Sequence, residues 1–272
     1  MRDIVVADAQ GFCIGVRKAL EIVERYDKVF IFGDLIHNKQ VVQNLEKKDK
    51  KVIHQITGKE EVPIVITAHG TRVEHFEKFK ELNLDIVDTT CPLVGVIYKE
   101  GIQLQDEGYQ IVIIGDNKHI EVQGIASRMR EPIIIDKESE VEEQKFPDKI
   151  GIICQSTYSM KKFEQLVRKI KTKAKEVKVR NTICAPTLKR QVAAEELAQV
   201  VEIMIVVGGF HSSNTKKLAE LARKHVVTYH IETADELERV WFDNKKRIGI
   251  TAGASTPDWI IEKVRETIAD FN

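Results

Sequence analysis

The sequence of 272 residues predicts an α/β fold with mainly parallel sheets. Two observations support this class: short β-branched runs recur along the chain, and amphipathic stretches alternate with them. The stretch KKFEQLVRKI at 161–170 has the apolar spacing of an amphipathic helix. Runs with the length of buried strands are VFIF at 29–32, IVII at 111–114 and IMIVV at 203–207.

An internal repeat organises these elements. Segments that begin at residues 29, 111 and 203 each contain a strand, a glycine at its tip, a polar cluster with histidine, and a helix. His37 lies four residues after Gly33, and His119 lies four residues after Gly115. In the third segment, histidine and serine occupy the third and fourth positions after the glycine. The repeat predicts three similar α/β domains.

Each segment continues with further strands. The next strands end in polar tips at 67–70, 154–157 and 251–255, and two later strands run into Cys91 and Cys184. The third segment lacks its last strand, which we assign to the N-terminal run that ends at Cys13. The predicted domains are 14–91, 92–184 and 185–272, the last completed by residues 1–13. A TIM barrel is the alternative, but a count of about twelve strands favours three domains.

Three cysteines occupy matching places in this repeat: Cys13, Cys91 and Cys184. Ligands bind at the carboxyl ends of parallel strands, so three domains around a threefold axis would bring these cysteines face to face. Without a CxxC pair they make a poor zinc-finger pattern, whereas soft thiolates suit an iron–sulfur cluster. A four-iron cluster normally takes four cysteines, so three ligands would leave one iron open for catalysis. Buried structural thiols are the alternative interpretation.

Cys154 is a candidate fourth ligand of the cluster. It lies at a different tip, which we align with Thr67 and Thr251 rather than with the other three cysteines. We therefore expect Cys154 not to bind the cluster.

Polar side chains at the tips form a candidate anion site. Helix N-termini offer unpaired N–H groups and a positive dipole end, and imidazole, hydroxyl and amide donors would complete a phosphate or diphosphate pocket. Ordinary helix capping is the alternative for each residue alone. The candidates are His37, His69, His119, Ser212, Ser213, Asn214 and Ser255.

Glu121 is the candidate proton carrier. It follows His119 by two residues, and a carboxyl beside an anion pocket and a metal centre would have a raised pKa. Gln155, Ser156 and Thr157 would join the same proton network. A capping or dipole role for Glu121 is the alternative.

Composition excludes several other classes. Basic and acidic residues both number 42, and this zero net charge argues against bulk nucleic-acid binding. No apolar run approaches the roughly 18 residues of a membrane span, and no signal peptide is evident. Four cysteines are too few for a disulfide scaffold, and nucleotide-binding and serine-hydrolase motifs are missing. We expect a soluble cytoplasmic protein with reduced cysteines and no nucleic-acid or membrane partner.

Eight short segments together resemble the 4-hydroxy-3-methylbut-2-enyl diphosphate reductase family, which catalyses the last step of the non-mevalonate pathway of isoprenoid biosynthesis. They follow the family order over nearly the whole chain. The segments are GlyPheCys at 11–13, HisAsn at 37–38, AlaHisGly at 68–70, ThrCysProLeuVal at 90–94, HisIleGluValGlnGly at 119–124, GlnSerThr at 155–157, SerSerAsn at 212–214 and ThrAlaGlyAlaSer at 251–255.

The resemblance implies a trefoil of three pseudo-threefold-related α/β domains around one 4Fe–4S cluster held by Cys13, Cys91 and Cys184. It implies that the seven tip residues listed above hold the diphosphate of an allylic substrate, whose hydroxyl approaches the open iron. Glu121 would donate the proton, with the hydroxyl of Ser156 or Thr157 nearby. The family reaction is a two-electron, two-proton reductive dehydroxylation that yields isopentenyl and dimethylallyl diphosphate. A ferredoxin or flavodoxin would supply the electrons.

The chain departs from the family pattern at two motifs. Ile120 stands where proline often follows the histidine, and GlnSerThr replaces the common GlnThrThr, so Ser156 and Thr157 both remain candidates. Two other functions stay open on the residues alone. One is a zinc-dependent hydrolase or phosphosugar enzyme on a TIM-like barrel, and the other is a non-catalytic iron–sulfur protein with Cys154 as a ligand.

Overall fold

The computed structural model describes residues 2–271, so Met1 and Asn272, at the ends of the predicted third domain, lie outside the described residues. The strands are β1 Asp3–Val6, β2 Val29–Phe32, β3 Lys50–Ile53, β4 Ile64–Ile66, β5 Ile86–Asp88, β6 Gln110–Ile114, β7 Ile133–Ile135, β8 Lys149–Cys154, β9 Glu176–Val179, β10 Ile203–Val207, β11 Thr228–Ile231 and β12 Arg247–Ala252.

The helices alternate with the strands. They are α1 Ile14–Glu24, α2 Lys39–Glu46, α3 Val73–Glu81, α4 Pro92–Asp106, α5 Ile120–Ala126, α6 Glu138–Glu143, α7 Met160–Lys171, α8 Ala185–Ala198, α9 Ser213–Ala222 and α10 Asp258–Asp270, with short 3₁₀ turns at Ala234–Glu236 and Arg239–Phe242. None of these helices has the length and hydropathy needed to cross a bilayer.

The strands of residues 2–271 form three parallel four-stranded sheets, not a barrel. Their orders are β3-β2-β4-β5, β7-β6-β8-β9 and β11-β10-β12-β1. In each sheet, the first strand of a repeat lies between the second and the third, and the last strand lies outside the third. β1 fills that last place in the third sheet, because Asp3 pairs with Arg247 and Val6 pairs with Ile250. The predicted α/β class with mainly parallel sheets is confirmed.

The central strands are mostly apolar, as is typical of parallel sheets that are covered by helices. Every residue of β10 is buried, and all but the first residue of β6 are buried. Polar residues begin only where these strands end, so we expect a site at the carboxyl edge of each sheet.

The chain divides into two compact units. One unit contains residues 1–17, 36–44 and 185–272, with the sheet of β1, β10, β11 and β12. The other contains residues 18–35 and 45–184, with the two remaining sheets. The domain boundaries at 14–91, 92–184 and 185–272, and the arrangement of three domains around a threefold axis, stay predictions.

Candidate functional site

The three repeat-related cysteines share one backbone setting. Each thiol is reduced and partly buried, and each cysteine directly precedes a helix: α1, α4 or α8. The backbone N–H of each cysteine donates to the carbonyl that lies two residues beyond the third strand of its sheet. These bonds are Cys13 to Ala254 at 3.1 Å, Cys91 to Ala68 at 3.0 Å and Cys184 to Ser156 at 3.0 Å.

The cysteines are divided between the two units: Cys13 lies in one, and Cys91 and Cys184 lie in the other. Across residues 2–271, no group of three or more His, Cys, Asp or Glu side chains is close enough together to hold a single metal ion. What the three thiols share is their position at the start of a helix. The N-terminal end of a helix dipole favours negative charge, including that of a thiolate.

Cys154 has a different setting. It is fully buried at the end of β8, and burial raises the pKa of its thiol well above the ordinary value. The sheet register aligns Cys154 with Ile66 and Ala252, because each pairs with the residue just before the tip glycine of the neighbouring strand. Our alignment of Cys154 with Thr67 and Thr251 was wrong by one position.

In the first unit, several predicted anion-binding residues lie together. The hydroxyl of Ser255 donates to the backbone carbonyl of His37 at 3.3 Å. Gly209 lies against the same carbonyl, so closely that a Cβ at position 209 would overlap its oxygen. The absence of a side chain at Gly209 thus lets the tip after β10 approach His37 and Ser255.

The start of helix α9 combines capping with an unsatisfied amide. Ser212 is the N-cap, and its hydroxyl accepts from the N–H of Thr215 at 3.3 Å, as the capping interpretation expects. Ser213 is the first helical residue. Asn214 is only 3% exposed, and neither polar atom of its side chain has a hydrogen-bond partner within residues 2–271. Buried amides normally have partners, so this side chain suits a polar ligand.

In the second unit, His69 and His119 lie close together. Their ring centroids are 5.7 Å apart in an edge-to-face arrangement. His119 is the N-cap of α5, and its Nδ1 accepts from the N–H of Glu121 at 3.2 Å. A neutral ring that accepts at Nδ1 carries its proton on Nε2, so Nε2–H is the donor of that ring.

Ser156 makes two hydrogen bonds to the side chain of Glu121. The carboxyl is 2% exposed, with Oε1 accepting from the N–H of Ser156 at 2.6 Å and Oε2 lying 2.7 Å from the Ser156 hydroxyl. Burial raises the pKa of Glu121, and the two hydrogen bonds from Ser156 act in the opposite direction. The Ser156 hydroxyl thus contacts the carboxyl, and the Thr157 hydroxyl accepts from the amide of Gln155 at 3.1 Å.

Two residues near the predicted ones were given no role from the sequence, although Asn38 belongs to the HisAsn segment at 37–38. Asn38 is 5% exposed and its Oδ1 accepts from the N–H of Val41, so it caps α2 as Ser212 and His119 cap their helices. The capping preference of asparagine would have identified it. Thr182 both accepts from the N–H of Cys154 and donates to its carbonyl, at 2.7 and 2.6 Å. No sequence pattern signals such a bond.

Comparison with known proteins gives a consistent family. The sequence matches the family described as LytB protein over residues 4–269. It is 40% identical to the 4-hydroxy-3-methylbut-2-enyl diphosphate reductase of Geobacter sulfurreducens, over 99% of this chain and 98% of that protein. The Aquifex aeolicus protein of the same name is 38% identical, over 100% of this chain and 97% of its own.

Solved structures agree with the sequence matches. A structure of (E)-4-hydroxy-3-methyl-but-2-enyl diphosphate reductase, the terminal enzyme of the non-mevalonate pathway, is 37% identical with a TM-score of 0.72, covering 99% of this chain and 100% of that one. The E-1-hydroxy-2-methyl-but-2-enyl-4-diphosphate reductase from Plasmodium falciparum is 28% identical with a TM-score of 0.93, covering 97% and 87%. This chain therefore belongs to the LytB family of 4-hydroxy-3-methylbut-2-enyl diphosphate reductases and is an oxidoreductase of the non-mevalonate isoprenoid pathway.

Proposed function

We propose that this chain reduces 4-hydroxy-3-methylbut-2-enyl diphosphate to isopentenyl and dimethylallyl diphosphate. The bond between the allylic carbon and its hydroxyl oxygen breaks, and the reaction consumes two electrons and two protons. One proton leaves with the hydroxyl as water, and the other joins carbon to complete the new C–H bond. The buried Glu121–Ser156 pair is the observation that supports this proposal. The backbone carbonyl of Ser156 accepts from the N–H of Cys184, so Ser156 connects a proton carrier with a candidate cluster ligand.

The donor set suits an iron–sulfur cluster bound by Cys13, Cys91 and Cys184. These three thiols are reduced and partly exposed at helix starts, whereas Cys154 is fully buried within a sheet. Soft thiolate donors with no carboxylate among them favour iron–sulfur over a hard cation. When bound, a 4Fe–4S cluster with three cysteine ligands supplies electrons one at a time and a Lewis-acidic iron.

The proposed ligands of the substrate diphosphate are the seven tip residues. In one unit these are His37, Ser212, Ser213, Asn214 and Ser255, of which Asn214 offers a buried amide without a hydrogen-bond partner among residues 2–271. In the other they are His69 and His119, whose rings lie edge to face. Imidazole, amide and hydroxyl donors to a phosphate form charge-assisted hydrogen bonds, which fix the head group and thereby the reacting carbon.

Glu121 holds the proton that the leaving hydroxyl needs. Its Oε1 accepts from a backbone N–H, which cannot reverse direction, so the acidic proton lies on Oε2 beside the Ser156 hydroxyl. The raised pKa keeps a larger fraction of this carboxyl protonated near neutral pH. Ser156 can pass the proton on because a hydroxyl both accepts and donates.

Anaerobic purification tests this function. We expect a brown protein with bound iron and acid-labile sulfide that converts the allylic diphosphate to both products with a chemical reductant. Reduced ferredoxin or flavodoxin should replace that reductant. A colourless, iron-free preparation that keeps full turnover would refute the proposed chemistry.

A further inference from the structure

Helix α5 carries two site residues at its start and is only seven residues long. An isolated helix of this length is unstable in water, so contacts with the rest of the fold must fix its position. The end of α5 lies against residues 71–73, which directly follow the His69 tip, and both segments belong to the same compact unit. The placement of His119 relative to His69 thus depends on this contact.

Arg128 joins the two segments. One guanidinium nitrogen donates to the carbonyl of Thr71 at 2.8 Å and to the carbonyl of Gly124 at 2.6 Å. The Gly124 carbonyl belongs to the last turn of α5, where carbonyls lack helical partners and a cation is favourable. Ser127 adds a second link, because its hydroxyl accepts from the N–H of Val73 at 3.0 Å.

Tyr98 fixes the orientation of this guanidinium. The centre of the Arg128 guanidinium lies 4.0 Å from the centroid of the Tyr98 ring, a cation–π arrangement. The Tyr98 hydroxyl fills the space beside Gly70 and Gly124, where a side chain at either glycine would press on it. Gly70 has a positive φ of 75°, which disfavours a side chain there as well. Burial raises the pKa of Tyr98 to about 12, so the ring stays neutral.

We propose that Arg128 is a positioning residue for diphosphate binding, which sets the separation of His69 and His119 by bridging Thr71 and Gly124 without touching substrate. The inference rests on the proposed function, in which both imidazoles hold one head group. The two histidines follow strands of different sheets, so no single element fixes their spacing. A displacement of about 1 Å at binding groups is costly even when it arises far from the reacting atoms.

Substitution of Arg128 tests this role. Arg128→Met removes the charge and both donors but keeps an unbranched stem. We expect KM for the allylic diphosphate to rise about tenfold while kcat stays within about twofold, since the loss acts on binding. Arg128→Lys should recover part of the loss. Arg130→Met is the matched control, because Arg130 is exposed and lies 3.7 Å from the Asp106 carboxylate, away from this bridge; its KM should equal that of wild type.

A binding measurement distinguishes a failure of the Arg128 proposal from a failure of the proposed function. Calorimetry with inorganic diphosphate on cluster-loaded protein should show about tenfold weaker binding in Arg128→Met, with unchanged iron content. Wild-type turnover together with equal KM and equal diphosphate affinity in the variant would overturn the role of Arg128. A wild-type protein without diphosphate binding or turnover would overturn the proposed function instead. If Arg128→Met does not fold, Gly124→Ala tests the same contact, because its Cβ would stand 3.1 Å from the Thr71 carbonyl; an unchanged KM there contradicts the proposal.

Discussion

The carboxyl of Glu121 combines two environments that oppose each other. Burial disfavours its charge, while the N–H and hydroxyl of Ser156 favour it, and the net result is a raised pKa. A buried acid with one fixed acceptor oxygen and one oxygen beside a hydroxyl is suited to deliver a proton in a defined direction.

Glu121→Gln should keep the cluster and diphosphate binding but lose turnover by about 100-fold or more, since proton transfer by a positioned group contributes roughly that much. Single-turnover kinetics with saturating reductant and iron analysis measure the two properties. Turnover close to that of wild type would exclude Glu121 as the proton donor.

The pH dependence distinguishes Ser156 from Thr157. Because the protonated form of Glu121 donates the proton, kcat falls as the pH rises through the raised pKa of this carboxyl. Ser156→Ala removes a hydrogen bond that favours the charged form, so the alkaline limb of kcat should move to higher pH. Thr157→Val should leave the position of that limb unchanged, because the hydrogen bonds that shift the pKa of Glu121 come from Ser156. A shift in Thr157→Val alone would reverse the assignment.

At the scale of the elements, the alternation of strands and helices was predictable from the sequence, whereas strand register was not. The tip of β8 shows why: its strand is buried on both faces, so its residues show no period-two pattern that would fix the register. Aligning tips by their polar residues therefore placed Cys154 one position away from its structural equivalents. Hydrogen bonding to the neighbouring strands β6 and β9 defines the register.

Those residues of the candidate site whose side-chain chemistry is distinctive could be predicted from the sequence. Cysteines, histidines and the Glu121 motif are recognisable because of their residue types. Arg128 and Thr182 act through backbone carbonyls and N–H groups, which every residue possesses, so their roles leave no trace in the sequence.

Thr182→Val should destabilise the protein by about 1–3 kcal/mol, because the buried N–H of Cys154 loses its acceptor while the side-chain shape is kept. Urea unfolding measures this loss. Thr172→Val is the control, since its hydroxyl bonds to an exposed carbonyl at the end of α7, and its stability should change little. An equal loss of unfolding free energy in both variants would mean that the Thr182 bond stabilises the fold no more than an exposed hydroxyl bond does.

For the whole molecule, the three sheets repeat one strand order, and each repeat presents one cysteine at the same backbone position. The proposed cluster ligands thus come from three separate parts of the chain and from both compact units. A cluster that needs all three would bind only the folded protein and would stabilise it by mass action.

Serine substitution of each cysteine tests this ligand set. Cys13→Ser, Cys91→Ser and Cys184→Ser should each lower bound iron and sulfide and lower the Tm of the anaerobic protein. Cys154→Ser should retain its iron, because that thiol is buried within the sheet. Loss of iron in Cys154→Ser alone, with the fold intact, would contradict the assignment.

The pairing of β1 with β12 has a consequence for biosynthesis. β1 is synthesised long before β12, which is its one neighbour in the sheet among the strands of residues 2–271. At ~5–20 residues per second, the gap between the two is on the order of ten seconds or more. During this interval the run Asp3–Val6 has no strand to pair with, whereas the two other sheets are each built from consecutive strands. The run Asp3–Val6 is therefore made well before the strand with which it pairs.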